Sequence, residues 1–339
     1  MRPFRYSRPS SIADAVLEVR EVLASDPGLS VSFLAGGTTL LDLMKLDVMR
    51  PDRIMDLDAL RDELGYIRSD GTALRLGAFA RMADVAADAG VIADYPVIAQ
   101  SLSLAASAQL RNMASLGGNV LQRTRCPYFR DPSWSACNKR VPGSGCAAIQ
   151  GANRSHAVLG TSDHCIATYP GDFAQALLAL DASVIVAGPG GNRTVPFASL
   201  HRQPDATPHM ETILLPGEII AEFVVPARPW TRRSLYLKIR DRQSYEFAVA
   251  AAAVALDLDG NVVRGSRIAL GGVATVPWRA REAEDALRGR PLTEEAAHAA
   301  ALAAFAGARP QSHNAFKVAL GQSTLVRALL QVASMESRP

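Results

Sequence analysis

The chain has 339 residues, of which 48% are apolar and 20% charged, with a formal net charge of +3. This composition is typical of a globular protein, and the length predicts two or three domains. So small a net charge gives no reason to expect binding to nucleic acid or to an anionic membrane. The first residues, MRPFRYSRPSSIADAV, lack the apolar segment of a signal peptide, and the longest apolar run, 247–256, is shorter than the roughly 20 residues of a membrane span. We therefore expect neither a signal peptide nor a membrane span.

The N-terminal part predicts alternating helices and strands. Apolar spacing indicates a helix over 11–23, and SVSFLA over 30–35 reads as a short strand that runs into GGTTLLDLMK. Further strands are expected at RIMDL and ALRLGAF, with helices over 82–89 and 97–107. The segment GDFAQALLALDASVIVAG then predicts a helix followed by a strand, with a turn at 188–191.

The C-terminal part predicts a small sheet backed by helices. TRRSLYLKIR and EFAVAAAAVALDL read as strands, and Asp259-Gly260 before NVVRGSRIALGGV is a strong hairpin signal. Helices are expected over 277–287, 293–307 and 313–332. With PARPWT at about 226–231 as an interruption, we expect an α+β protein with domains over 1–226 and 230–335.

Two glycine-rich turns are candidates for binding an anion. AGGTTL, from Ala35 to Leu40, joins a strand to a helix, and RNMASLGGNVLQ, from Arg111 to Gln122, repeats the combination of paired glycines and hydroxyls. Backbone N–H groups at such turns can converge on phosphate. Neither stretch matches the P-loop or the G-x-G-x-x-G fingerprint. Two such turns suit a diphosphate approached from both sides, although plain tight turns are an equal alternative.

Four cysteines, the complete set of this chain, fall within 40 residues. Their spacings are C-x10-C, C-x8-C and C-x18-C, without the tight pair of zinc ribbons or ferredoxins. They lie in or just after a segment, 123–155, that is rich in Pro, Gly and Ser and has no helical or strand period. Four thiols in a chain without an export signal are more often metal ligands than disulfides. Spacing leaves the metal open, and a pair of local disulfides remains the alternative.

The order of several segments carries a family resemblance. AGGTTLLDLMK, RNMASLGGN, YPGDFAQALLALDASVIV, PGEIIAEFVVP, KIRDRQSYEFAVAAAAVAL and RIALGGVATVPWRAREAE follow one another along the chain. Together they resemble the FAD-binding (medium) subunit of the molybdenum hydroxylases, the family of xanthine dehydrogenase, carbon monoxide dehydrogenase and aldehyde oxidoreductase. The resemblance implies an FAD-binding domain of two α/β subdomains, followed by a domain with a small antiparallel sheet and helices.

The resemblance also implies roles for individual residues. Asp172 would contact the ribityl–adenosine side of the flavin, and Lys238 would lie near the flavin ring; by pattern alone, Asp172 reads as an N-cap and Lys238 as a residue facing water. The isoleucines would pack on the cofactor, although their pattern is that of ordinary core residues. The implied FAD-binding set is Phe33, Leu34, Ala35, Gly36, Gly37, Thr38, Thr39, Leu40 and Leu41 in the first turn, Ser115, Gly118 and Asn119 in the second, then Asp172, Ile219, Ile220 and Lys238.

The cysteine segment resembles an insertion into the flavin domain. In most of this family a short connection joins the GGN turn to the helix at the aspartate, whereas 52 residues separate Asn119 from Asp172 here. CPYFRD, CNKRVPGSGCAA, NRSHAVLG and HCIA resemble the insertion of the FAD subunit of bacterial periplasmic aldehyde oxidoreductase, which carries a 4Fe-4S cluster. The resemblance implies an insertion over about 123–166, with Cys126, Cys137, Cys146 and Cys165 as the cluster ligands.

The function expected from the resemblance is electron transfer within an oxidoreductase complex. Aldehyde oxidation would occur at a molybdenum cofactor in a large partner subunit, and a small 2Fe-2S subunit would pass electrons to the FAD in this chain. The three subunits would form a heterotrimer. No side chain of this chain is expected to be catalytic. The alternatives are a stand-alone FAD oxidase and a zinc-stabilised binding module. The compartment is expected to be the periplasm, by export with a partner, or the cytoplasm.

Overall fold

The structure is a computed structural model that describes residues 1–335. Within these residues the strands form sheets of three, four and five strands. The strands are β1 (Arg5–Ser7), β2 (Val31–Leu34), β3 (Arg53–Asp56), β4 (Ile67–Ser69), β5 (Ala73–Gly77), β6 (Ser183–Gly188), β7 (Gly191–Pro196), β8 (Ile219–Pro226), β9 (Ser234–Ile239), β10 (Ala250–Asp259), β11 (Val262–Gly271) and β12 (Trp278–Arg279). The α-helices are α1 (Ile12–Ser25), α2 (Leu40–Lys45), α3 (Arg61–Leu64), α4 (Met82–Ala87), α5 (Ala89–Asp94), α6 (Pro96–Ser103), α7 (Ala108–Met113), α8 (Leu116–Val120), α9 (Pro127–Arg130), α10 (Ala147–Gln150), α11 (Phe173–Ala179), α12 (Arg281–Leu287), α13 (Glu294–Ala304) and α14 (Phe316–Ala333).

The first sheet is small and parallel, in the order β1-β3-β2. Its helix α1 begins after Ser11, whose hydroxyl accepts a hydrogen bond from the Asp14 N–H and so satisfies an otherwise free amide. The buried face of α1 carries Ala15, Val19 and Val22. Strand β2 ends at the first glycine turn, so this sheet positions one wall of the candidate site.

The second sheet is antiparallel, in the order β4-β5-β8-β6-β7. Strands β6 and β8 are buried in its centre, and helix α11 supplies Phe173, whose ring lies 5.7 Å from that of Phe223. The chain leaving β5 runs directly into contact with the second glycine turn. The two sheets of the N-terminal part therefore each support one turn.

The C-terminal part holds the antiparallel sheet β12-β11-β10-β9, with α12 and α14 packed on it and α13 packed against these two helices. The hairpin predicted at Asp259-Gly260 is confirmed, with β10 and β11 joined there and Gly260 at φ +59°. Alanines make up half of β10 and most of α13, and such small side chains allow close packing. The α+β fold class expected from the sequence is confirmed.

Some predicted boundaries were wrong. The helix expected over 277–287 begins only at Arg281, because Trp278 and Arg279 pair with Leu270 and Ala269 of β11 as the short strand β12. The single helix expected over 82–89 is two helices that break at Asp88, whose carboxylate caps α5 through the Val91 N–H. Tertiary pairing and a local cap overrode helical periodicity at these two places.

Candidate cofactor and metal sites

The first glycine turn lies between β2 and α2. Gly37 has φ +73°, a conformation that favours glycine. A Cβ on Gly36 would collide with the carbonyl oxygen of Met113, so the turn packs backbone to backbone against the chain that precedes the second turn. The first N–H groups of a helix have no partner within it. At the start of α2 the Leu41 N–H already donates to the Gly37 carbonyl at 3.2 Å, and the hydroxyls of Thr38 and Thr39 lie beside this turn.

The second glycine turn is the start of α8. The Ser115 hydroxyl caps this helix by accepting a hydrogen bond from the Gly118 N–H at 3.2 Å. The Gly117 N–H donates to the Ala78 carbonyl at 2.8 Å, which ties the turn to the end of β5. The side-chain oxygen of Asn119 is buried without a hydrogen-bond partner. An unpaired buried acceptor of this kind needs a donor, which a bound ligand can supply.

Two cavities meet where the turns come together. Cavity I measures about 280 Å³ and lies between the first turn and β8. Cavity II measures about 510 Å³ and lies between the second turn and the segment 242–247. Thr38, Thr39 and Gly118 line both cavities. Ligand-binding clefts commonly measure about 300–1,000 Å³, so an elongated ligand fits with its middle at the turns and one end in each cavity.

The structure brings most of the predicted residues to these cavities. Those that line cavity I are Phe33, Ala35, Gly36, Gly37, Thr38, Thr39, Leu40, Ser115, Gly118, Ile219 and Ile220. Asn119 and Asp172 line cavity II. Leu34, Leu41 and Lys238 line neither cavity. Leu34 follows Phe33 in a strand and so points to the opposite face, while Leu41 is 37% exposed on α2.

Asp172 and Lys238 form a buried ion pair beside cavity II. The Lys238 ammonium donates to Asp172 Oδ2 at 2.8 Å and to the Leu104 carbonyl at 3.1 Å, while the Tyr236 hydroxyl donates to Asp172 Oδ1 at 2.6 Å. Asp172 makes no side-chain capping bond to α11, and the Lys238 side chain is 1% exposed, so neither simple interpretation of these residues holds. Burial raises the pKa of Asp172, and Lys238 opposes that rise. Lys238 does not line cavity II, but it holds the Asp172 carboxylate in place beside that cavity and favours its charged form.

Isoleucines Ile219 and Ile220 serve two purposes at once. They are 4% and 3% exposed and belong to the main hydrophobic core, which agrees with the core interpretation. They also form part of the wall of cavity I. An apolar, rigid wall opposite a polar turn is typical of cofactor sites.

Sequence reasoning missed the outer wall of cavity II. Tyr245 and Phe247 line it from the irregular segment between β9 and β10, and Tyr245 has φ +54° and is 57% exposed. The Arg125 guanidinium lies over the Phe247 ring at 5.3 Å. Two exposed aromatic residues in RDRQSYEF were the available signal, because large apolar side chains in an irregular segment commonly mark a binding surface.

The four cysteines come together in a second site. Cys126 and Cys146 precede the single-turn helices α9 and α10, and Cys137 pairs with Cys146 through an isolated bridge. All four are free thiols, so the disulfide alternative is not realised. They pack in one apolar cluster with Tyr128, Phe129 and Ile166. Within residues 1–335, no three His, Cys, Asp or Glu side chains are arranged to bind a single metal ion.

Burial disfavours the thiolate form of two of these cysteines. It raises the pKa of Cys126 to about 12 and that of Cys165 to about 11, and neighbouring cysteines add to both shifts. His156 is 1% exposed and its Nε2 lies 3.2 Å from Cys126 Sγ, whereas His164 is exposed. Thiolates in so apolar a place need cationic metal to stabilise their charge.

The cysteine segment is held on two sides. Towards the N-terminal part, Arg123 and Lys139 bind Glu211 at 2.8 and 2.5 Å, and Arg130 binds Asp42 at 2.7 Å. Towards the C-terminal part, the Val158 N–H donates to the Val273 carbonyl at 2.8 Å. Long irregular segments are uncommon in compact domains unless something holds them, and here both parts of the chain supply the contacts.

In the part of the chain that the structure describes, no helix combines the length and apolar character needed to cross a membrane.

Comparison with known proteins follows the division of the fold. Residues 2–228 match the family described as the FAD binding domain in molybdopterin dehydrogenase, and residues 235–332 match the CO dehydrogenase flavoprotein C-terminal domain. The chain is 43% identical to the aldehyde oxidoreductase FAD-binding subunit PaoB of Escherichia coli (strain K12), covering 98% of each chain. It is 28% identical to the carbon monoxide dehydrogenase medium chain of Hydrogenophaga pseudoflava, covering 96% of each.

A solved structure shares the fold over its full length. A chain of carbon monoxide dehydrogenase from Hydrogenophaga pseudoflava superposes with a TM-score of 0.74 at 28% identity, covering 98% of both chains. Both matched families and the similar relatives are flavoprotein components of oxidoreductase complexes by their descriptions. The two glycine turns, the two joined cavities and these matches lead to one conclusion: the chain belongs to the family of FAD-binding medium subunits of the molybdenum hydroxylases.

Proposed function

We propose that this chain is the FAD- and iron–sulfur-binding electron-transfer subunit of a molybdenum-containing aldehyde oxidoreductase. In this role it receives electrons from a 2Fe-2S subunit and passes them to an external acceptor. The observation that supports the proposal most directly is the adjacency of the two sites. Arg125 lines cavity II, and the next residue, Cys126, belongs to the cysteine cluster. Redox groups held so close together are suited to exchanging electrons.

The residues of cavities I and II fit an FAD. The first turn from Phe33 to Leu40 and the second turn at Ser115, Gly118 and Asn119 would hold the diphosphate from two sides. Ile219 and Ile220 would pack on one end of the cofactor. Asp172, fixed by Lys238 and Tyr236, would accept a hydrogen bond in cavity II. FAD itself supplies the ability to take up and release electrons, and this chain supplies its placement and electrostatic surroundings.

The cysteine site fits a 4Fe-4S cluster on Cys126, Cys137, Cys146 and Cys165. Its donor set is four thiols with no carboxylate, which suits soft metals and iron–sulfur clusters. Zinc ribbons and knuckles usually carry at least one tight C-x2–4-C pair, and the spacings of these four cysteines contain none. A cluster of four irons accepts thiolates that lie farther apart. The resemblance of CPYFRD, CNKRVPGSGCAA, NRSHAVLG and HCIA to an insertion that carries a 4Fe-4S cluster supports the same assignment.

The assembly that we propose is a heterotrimer with a large molybdenum-cofactor subunit and a small 2Fe-2S subunit. The relatives support this, because they are described as subunits or medium chains. We further propose that the chain divides into domains over 1–226 and 230–335, with the insertion at about 123–166. The limits of the two family matches, 2–228 and 235–332, support this division.

The test is to reduce the flavin through its partners. The three subunits are co-expressed and purified without oxygen, an aldehyde is added, and the flavin absorption is followed. We expect rapid bleaching in the complete complex and none when the large subunit is omitted. Aldehyde oxidation by this chain alone would instead favour a stand-alone oxidase, and a colourless preparation would favour a zinc-stabilised binding module.

A further inference from the structure

Lys317 is a buried lysine without a carboxylate partner. It lies in the first turn of α14 and is 1% exposed. Its ammonium donates to the carbonyl oxygens of Ser155 at 3.1 Å, His156 at 3.1 Å and Gly272 at 2.7 Å. Among the ion pairs of residues 1–335, none includes Lys317. Because an unpaired buried charge is costly, a lysine in this position calls for an explanation.

The Asp241 carboxylate does not neutralise the Lys317 ammonium. Asp241 raises the pKa of Lys317 less than burial and Arg154 lower it, and both oxygens of Asp241 bind the Arg154 guanidinium, at 2.9 and 3.2 Å. That pair is largely exposed to solvent, which screens it. Burial lowers the pKa of Lys317 to about 7. Burial thus disfavours the charged form of Lys317, and a nearby anion would favour it.

The cysteine site lies next to this ammonium. Lys317 and Cys126 line the same cavity of about 220 Å³, together with His156. The His156 carbonyl accepts from Lys317, while His156 Nε2 contacts Cys126 Sγ at 3.2 Å. His156 thus contacts both the Lys317 ammonium and the Cys126 sulfur. Charges interact strongly over such short paths when protein rather than water lies between them.

Holding the backbone does not by itself require a charge. Asn314, one turn earlier, donates from its neutral amide to the carbonyl oxygens of both His156 and Ala157, at 3.3 and 3.1 Å. The same stretch is therefore already anchored by an uncharged group. A second, charged anchor costs more to bury than an amide would, so the charge itself is the feature to be explained.

We propose that Lys317 is the counter-charge of the four-cysteine site and raises the reduction potential of the cluster held there. Four thiolate ligands give the occupied site a net negative charge, and reduction adds one more electron to it. A fixed positive charge beside Cys126 stabilises that added electron, since net charge and nearby electrostatics set the potentials of such clusters. Lys317 touches no ligand atom and so acts as a tuning and positioning residue. The inference rests on the proposed function, because it takes the 4Fe-4S cluster as the occupant.

The test is a reductive titration of the anaerobically purified complex. The cluster is followed by the electron paramagnetic resonance signal that Cys126→Ser removes, which separates it from the 2Fe-2S signals of the partner subunit. Lys317→Gln removes the charge and keeps a hydrogen-bond donor, Lys317→Arg keeps the charge, and Arg327→Gln removes a charge from the exposed face of the same helix. We expect a lower midpoint potential in Lys317→Gln and an unchanged one in Arg327→Gln.

The outcomes are distinguishable. Equal midpoint potentials in the parent and Lys317→Gln, at equal iron content, overturn the role of Lys317. Loss of iron from Lys317→Gln but not from Lys317→Arg supports a need for the charge, whereas equal loss from both overturns it in favour of a packing role. A parent complex without a signal that depends on Cys126 refutes the cluster, and hence the proposed function, rather than the effect of the lysine alone.

Discussion

Gly36 and Gly37 lack side chains for different reasons. At Gly36 there is no room, because the position of a Cβ is taken by the backbone of Met113. At Gly37 the limit is conformational: φ is +73°, and a Cβ would meet the side chain of Leu41 at 2.9 Å, which can move. Gly36 thus allows the two turns to pack together, and Gly37 gives the backbone of the first turn the curvature that can surround an anion.

Gly37→Val is predicted to yield flavin-poor protein. A β-branched residue at positive φ costs about 1–3 kcal/mol and tilts the turn away from the diphosphate. Gly71→Val is the matched control, since Gly71 has φ +82° in the turn between β4 and β5, and a Cβ there meets nothing within 4 Å. The measurement is FAD per chain after gel filtration. Flavin lost equally from both variants would show that the effect is general destabilisation rather than loss of the site.

Among the elements, the cysteine segment and the start of α14 are joined by buried polar groups. Asn153 is fully buried, donates to the Ala148 and Ile149 carbonyls, and accepts from the His313 N–H at 2.9 Å. Asn314 and Lys317 make further bonds to 155–157. The C-terminal part therefore helps to fold a segment that its own apolar content does not hold.

Asn153→Ala is predicted to loosen this junction. It leaves buried backbone groups unpaired, at a cost of about 1–3 kcal/mol. Limited proteolysis should then cut within 123–166 sooner than in the parent, and iron content should fall. Asn192→Ala, on the exposed strand β7, provides the comparison. An Asn153→Ala protein with parental protease resistance would contradict the coupling.

The packing of His201 makes the free energy of unfolding depend on pH. His201 packs edge-on against Tyr169 and Phe197, with ring centroids 4.9 and 5.7 Å away, and burial lowers its pKa from 6.5 to about 4. Because the folded pKa lies below the unfolded one, protonation favours unfolding, and stability present above about pH 6.5 is lost as the pH falls towards 4.

Since residue His201 is partly exposed, we expect this loss to be about 1–2 kcal/mol rather than the full value of the shift. Thermal unfolding of the parent and His201→Gln at several pH values measures it. The pH dependence should be flatter in the variant, and His298→Gln on the surface of α13 controls for loss of a histidine as such. Parallel curves for the parent and His201→Gln would contradict the assignment.

The elements that the sequence predicted well are those specified by local signals. The strand–turn–helix at 31–45 and the hairpin at Asp259-Gly260 depend on glycine, apolar spacing and turn chemistry within a few residues. Lys238 and Tyr245 are different, because their places depend on contacts with segments far away in the chain. The lysine points inward to Asp172, 66 residues away, and no local pattern encodes that. The anchoring of the cysteine segment by α14 is likewise a tertiary contact.

At the scale of the whole molecule, the fold places both candidate redox sites at the junction of its N-terminal and C-terminal parts. Cavity II draws residues from 38–39, 105–130 and 242–247. The cysteine site is anchored by ion pairs on one side and by α14 on the other. Such a site forms only when both parts are folded and docked, so cofactor content reports on the assembly of the entire chain.

The central claim is that the four cysteines hold an iron–sulfur cluster beside the FAD. The most direct measurement is iron, acid-labile sulfide and zinc in the anaerobically purified complex, for the parent and for Cys126→Ser, Cys137→Ser, Cys146→Ser and Cys165→Ser. Each variant removes one of only four ligands, so we predict that the parent holds about four iron and four sulfide ions more than every variant. Equal iron and sulfide contents in the parent and the variants would contradict the claim. So would a parent that holds one zinc ion per chain, in place of iron and sulfide, and variants that lose this zinc.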